Sequence, residues 1–162
     1  MFEPALLDQA RALLDAARAR NIRIVTAESC TGGLIAGLLT EIPGSSDVVE
    51  RGFVTYSNHA KEESLGVPGA LLKKYGAVSD HVARAMANGA LRHARAQLAI
   101  AVTGIAGPGG GSAEKPVGLV HIALADGHTI TSHEFRFGDI GRSEVRLATV
   151  REAIKVLSAA IS

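Results

Sequence analysis

Over residues 4–20, Leu6, Leu7, Ala10, Leu13, Leu14 and Ala17 recur at three- and four-residue spacing with arginines and aspartates between them. That spacing predicts an amphipathic helix. The pattern then changes: Ile22, Ile24 and Val25 are β-branched and predict a strand over 22–27. Leu34, Ile35, Leu38 and Leu39 predict a helix over about 31–40, ended by Pro43-Gly44. A second strand is expected at 48–56, then short helical pieces over 59–75 broken by Gly66-Val67-Pro68-Gly69. Ser79 suits an N-cap, with Asp80 in the first turn of a longer helix carrying Val82, Met86, Ala90 and Ala94. Residues 98–102 are all apolar, as in a strand buried on both faces. Residues 117–125 and 129–137, joined through Asp126-Gly127, predict a hairpin. Leu147, Val150, Ile154, Leu157 and Ile161 mark a last helix. This order predicts an α/β fold: a single three-layer α/β/α domain over 1–162 with a mixed β-sheet.

Composition narrows the function. A chain of 162 residues suits one domain with a proper core. The net charge of +1, without any Lys/Arg run, argues against a nucleic-acid surface. A single cysteine excludes an internal disulfide and fits the cytoplasm. No signal-peptide pattern opens the chain, and no apolar run reaches the roughly 18 residues of a membrane span. We therefore expect no nucleic-acid or membrane partner. The apolar stripes of so small a domain lead us to expect a homo-oligomer.

Three segments carry candidate chemistry. Thr26-Ala27-Glu28-Ser29-Cys30-Thr31-Gly32-Gly33 joins the first strand to a helix, where unpaired N–H groups and partial positive charge can stabilise an oxyanion or a phosphate. Ser29 or Cys30 is the candidate nucleophile; they are neighbours at a helix start, pointing about 100° apart, so only one faces a cleft. Glu28 is read either as a base or ligand-orienting carboxylate or as a solvent- or backbone-bonded one, and Thr31 either as a ligand or as an N-cap.

The second segment, residues 103–112, is glycine-rich and follows the buried strand, a position where backbone amides approach anionic ligands. It fits neither the dinucleotide fingerprint nor the Walker loop. In the third, residues 52–61, Tyr56 ends a strand and Lys61 follows five residues on. A lysine serves as base if its pKa falls from about 10.4 toward 7–8, a change of about 4 kcal/mol that requires desolvation or a nearby cation. The six histidines (59, 81, 93, 121, 128 and 133) show no metal-binding helical spacing, so neither a metal nor any other cofactor is expected.

Together these blocks resemble the competence/damage-inducible CinA C-terminal domain family, whose enzymes are nicotinamide mononucleotide deamidases (the PncC type). The resemblance rests on TAESCTGG (26–33), PGSS (43–46), GFVTYSNHAK (52–61), LGV (65–67), GAVS (76–79), TGIAGPGGG (103–111) and KPVG (115–118). It implies hydrolysis of nicotinamide mononucleotide to nicotinate mononucleotide and ammonia. Ser29 falls on the family's nucleophile, and Tyr56 and Lys61 fall on its proton-transfer partners. Thr103 falls on the threonine opening the glycine loop, and Arg142 on an arginine near the start of the last helix. The family often shows Gly-Asp-Arg there, whereas this chain has Gly138-Asp139-Ile140-Gly141-Arg142, which leaves Arg146 as the other candidate.

The expected chemistry is attack by Ser29, proton transfer to Lys61 directly or through Tyr56, and an oxyanion held by N–H groups from Cys30 to Gly33 (Cys30, Thr31, Gly32, Gly33). Thr103, Gly104 and the following amides, with Arg142, are expected to hold the 5′-phosphate. Some relatives also carry an N-terminal nucleotide-pyrophosphatase domain, an activity not expected of these 162 residues. The competing reading is a non-catalytic nucleotide-binding or regulatory module.

Overall fold

The computed structural model describes residues 1–162, with six α-helices around a five-stranded sheet. Pro4 opens α1 (Pro4–Ala19), where its missing N–H costs nothing, and the predicted apolar stripe is the buried face. β1 (Ile24–Glu28) is buried at all five positions. It starts two residues later than its pattern suggested, which carries Glu28 inside. α2 (Leu34–Thr40) begins three residues after the predicted start because Gly32 and Gly33 hold φ of +58° and +100°, outside the helical region.

β2 (Val49–Val54) ends before Thr55 and Tyr56, which pass into the loop preceding α3 (Asn58–Leu65). Ser57 caps α3, accepting from the Ala60 N–H at 3.0 Å. α4 (Gly69–Tyr75) follows, then α5 (Asp80–Arg92), capped by the expected Ser79. β3 (Leu98–Gly104), β4 (Leu119–Ala125) and β5 (Ile130–Arg136) lead into α6 (Arg142–Ile161).

The strand order is β2-β1-β3-β4-β5. β1 pairs in parallel with β2 and β3, setting Glu28 opposite Val54 and Val102; the β3–β4 and β4–β5 pairs are antiparallel. The sheet is mixed, as expected. Alternate strand residues feed two cores: Ile24, Ile100, Val102 and Ile122 pack with α1, α2 and α6. Val25, Ala27, Ala99, Ala101 and Ala123 pack with the helices α3 to α5. The small strand side chains of the second face let α5 lie close to the sheet. At Gly89 a Cβ would stand 1.9 Å from the Leu65 carbonyl oxygen, so the end of α3 rests directly on α5.

Because β1, β2 and β3 run in parallel, their carboxyl ends share one edge. The turn after β1, the segment after β2 and the loop after β3 emerge there together, the usual ligand position of open α/β sheets. No helix is long and apolar enough to cross a membrane.

Candidate active site

At that edge Ser29, Tyr56, Lys61 and the glycine-rich loop surround one open cavity of about 270 Å³. The Ser29 N–H donates to the Val102 carbonyl at 3.0 Å, which ties the residue to β3. Lys61 sits one turn into α3 and is only 1% exposed. Its Nζ donates to the Thr55 carbonyl at 2.7 Å and contacts Ser29 Oγ at 2.9 Å. Both partners are neutral. Burial without a counter-ion lowers the Lys61 pKa from 10.5 to about 8, since desolvation disfavours the charged form. The neutral amine retains the Thr55 bond and offers its lone pair to the Ser29 hydroxyl.

Cys30 also lines the cavity, with its Sγ packed against Gly104, where a Cβ would come within 3.2 Å of the sulfur. Burial pushes its thiol up to about 12, so no thiolate forms near neutral pH. Lys61 bonds Ser29, not Cys30.

Behind Ser29 the turn is held on two sides. The Glu28 carboxylate is fully buried and accepts from Thr31 Oγ1 at 2.6 Å, the Ile35 N–H at 2.8 Å and the Ala36 N–H at 3.0 Å. It is therefore the backbone-bonded cap of α2, and Thr31 spends its hydroxyl on Glu28. On the other side Arg146 donates from Nε to the Cys30 carbonyl and from Nη2 to the Thr31 carbonyl, each at 3.1 Å. Thr31, Gly32 and Gly33 shape the turn but do not line the cavity. The N–H groups of Cys30, Thr31 and Gly33 donate to no other residue.

The cavity wall carries two cations, Lys61 and Arg142, and no carboxylate. Arg142 donates to the Gly107 carbonyl at 2.8 Å and to the Tyr56 hydroxyl at 2.9 Å, which bridges the glycine-rich loop to the segment after β2. Tyr56 is 63% exposed, and its hydroxyl bonds Arg142 with no bond to Lys61 or Ser29. Thr103 is buried, its hydroxyl donating to the Ala77 carbonyl at 2.8 Å; it fixes the opposite wall, formed by Ala77 and Val78. Gly104 is needed for close packing, since a Cβ there would meet Val120 at 2.6 Å. The N–H groups of Ala106, Gly107, Gly109 and Gly110 are unpartnered on the cavity wall.

Sequence reasoning missed what Arg146 does, because its bonds span more than 100 residues and leave no local pattern. The walls at Ala77 and Val78 carry no chemical signal at all. A larger cavity of about 550 Å³ lies by Leu98 and the Asp126–Thr129 turn, toward the other edge of the sheet. No three His, Cys, Asp or Glu side chains gather as a metal-binding group.

Comparison with known proteins agrees with this architecture. Residues 7–161 match the model of the CinA C-terminal domain. A CinA-like protein of Syntrophus aciditrophicus is 53% identical over 140 residues, covering 85% of this chain and 33% of that protein. The crystal structure of the competence/damage inducible protein CihA from Agrobacterium tumefaciens superposes with a TM-score of 0.96 at 56% identity, covering 98% of this chain and 97% of that one. A competence-damaged protein (CinA) superfamily protein from Escherichia coli gives 0.91 at 33% identity, covering 98% and 94%. The chain spans about a third of the length of the curated relatives it matches. By the family model and these relatives alike, this chain belongs to the CinA C-terminal domain family.

Proposed function

We propose that this chain hydrolyses the carboxamide of nicotinamide mononucleotide to nicotinate mononucleotide and ammonia, with Ser29 as nucleophile and Lys61 as general base. One observation carries the catalytic part: a buried lysine without a counter-ion, 2.9 Å from a serine hydroxyl at the mouth of a cavity. A protein that only binds a nucleotide has no use for that arrangement. The substrate follows from the family resemblance, and Arg142 and the free loop amides suit its phosphate.

In the first step Ser29 Oγ attacks the carboxamide carbon while its proton passes to Lys61 Nζ. The carbonyl oxygen becomes an oxyanion beside the unpartnered amides of the turn, of which Cys30 is on the cavity wall; a single such donor contributes about 3–4 kcal/mol. Collapse of the tetrahedral intermediate breaks the C–N bond, and Lys61 returns the proton to the leaving nitrogen as ammonia departs. Water, deprotonated by Lys61, then attacks the acyl ester and frees nicotinate mononucleotide and Ser29. The geometry favours direct transfer through Lys61, with Tyr56 steadying Arg142.

Arg142 and the N–H groups of Ala106, Gly107, Gly109 and Gly110 are the phosphate site in this reading. Arg142→Ala is expected to raise KM for the nucleotide about tenfold with kcat little changed, a loss of roughly one charge-assisted contact. A fall in kcat alone would move Arg142 to the chemistry. The reading itself is tested by ammonia release from nicotinamide mononucleotide without added metal. Turnover supports it; nucleotide binding without turnover overturns it in favour of a binding module.

A further inference from the structure

We infer that Arg146 and Glu28 are positioning residues that grip the Ser29 turn from opposite sides, holding Ser29 Oγ on Lys61 and leaving the Cys30 N–H, on the cavity wall, free for the oxyanion. This inference rests on the amidase reading and concerns the same site. Neither side chain lines the cavity, and neither bonds Ser29 or Lys61.

In a trans peptide the C=O and N–H point in opposite directions. Arg146 Nε holds the Cys30 carbonyl, which turns the Thr31 N–H away from the guanidinium. The Ser29 carbonyl accepts from the Gly32 N–H at 3.1 Å, which sets the Cys30 N–H in the same way. Each peptide plane between Ser29 and Gly32 is thus fixed through its carbonyl while the first two following amides stay unpaired.

The planar guanidinium meets the two carbonyls with separate nitrogens, each at 3.1 Å, a fixed two-point grip that the single nitrogen of a lysine ammonium does not reproduce. The guanidinium lies against Gly32, whose φ of +58° favours glycine and shapes the turn that presents these carbonyls. On the other side Glu28 takes the first amides of α2 and the Thr31 hydroxyl, so the turn cannot slide along the helix axis. The guanidinium also polarises two peptide groups of the turn, strengthening the N–H donor of each.

The test uses Arg146→Gln, Arg146→Lys and Glu28→Gln in the full chain. The readouts are kcat and KM for nicotinamide mononucleotide, the rate at which a fluorophosphonate labels Ser29, and the melting temperature. Arg146→Gln is expected to lower kcat by about ten- to hundredfold with KM held within about twofold, the effect of a displacement of about 1 Å. Labelling of Ser29 is expected to slow in parallel, Glu28→Gln to act in the same direction, and Arg146→Lys to fail to rescue. Where Arg146→Gln does not fold, Arg146→Lys supplies the same readouts. Unchanged kcat with a lowered melting temperature would reduce Arg146 to packing and overturn the inference. A raised KM with unchanged kcat would make it a phosphate ligand and overturn it equally. Failure of the amidase reading looks different: wild-type Ser29 then neither turns over substrate nor takes the label.

Discussion

Lys61 carries its ammonium into a buried site with no carboxylate beside it, and both its reactivity and its cost to the fold follow. With a pKa of about 8, the amine is largely protonated at pH 6 and largely free at pH 9. Turnover is therefore expected to fall as pH drops below about 8, about tenfold per pH step well below it, as a pH–rate profile will show. Stability has its own dependence. Below about 8 both the folded and the unfolded chain hold the proton, and the burial penalty is complete. Between about 8 and 10.5 the folded chain has released it while the unfolded chain has not, so stability rises with pH across that window.

Lys61→Met removes the charge, and is expected to unfold at higher urea than wild type at pH 7, the two converging toward pH 10. The full penalty is about 3 kcal/mol, reduced by solvent in the open cleft and by the lost bond to Thr55. A Lys61→Met protein no more stable than wild type at pH 7 would contradict the depressed pKa. At this scale Ser29, Tyr56 and Lys61 were legible because each stands in a recognisable block, Ser29 and Tyr56 just past a strand end and Lys61 one turn into the helix that follows. The bonds of Glu28, Thr103 and Arg146 were not, because each depends on a partner's position in space.

Among the elements, α3 is the one whose placement the chemistry needs. It carries Lys61, and its last residue, Leu65, rests against Gly89 of α5 with no room for a Cβ. Gly89→Ala must push α3 away from α5 or bend it. The expected cost is about 1–3 kcal/mol, as for other overpacked sites. Because Lys61 moves with α3, kcat is expected to drop about tenfold at the same time. Urea unfolding and steady-state kinetics on one preparation check both; an unchanged midpoint would show that α3 yields without strain. The hydrophobic pattern found every helix and strand here, but not their ends. β1 shifted because Glu28, polar in sequence, is satisfied by the helix after it. α2 started late because two glycines first had to turn the chain. Both displacements fall on the Ser29 turn, where local propensity gives way to the geometry of the site.

For the molecule as a whole, alternating helices and strands announced an α/β sheet, whereas the strand order could not be read. β1 lies between β2 and β3 although Leu98 is 74 residues from Ile24 in sequence, and no local pattern encodes such a pairing. That arrangement brings three segments to one edge and gathers Ser29, Lys61 and the glycine-rich loop around a single cavity. The central claim is that Ser29 and Lys61 hydrolyse the amide of nicotinamide mononucleotide. The most direct measurement is ammonia release from that nucleotide by wild type, Ser29→Ala and Lys61→Met, side by side at pH 8.5, just above the Lys61 pKa of about 8. The account predicts turnover by wild type that both substitutions abolish while both proteins stay folded and bind the nucleotide. Turnover surviving in Ser29→Ala or in Lys61→Met, or absent from a wild type that binds the nucleotide, would contradict it.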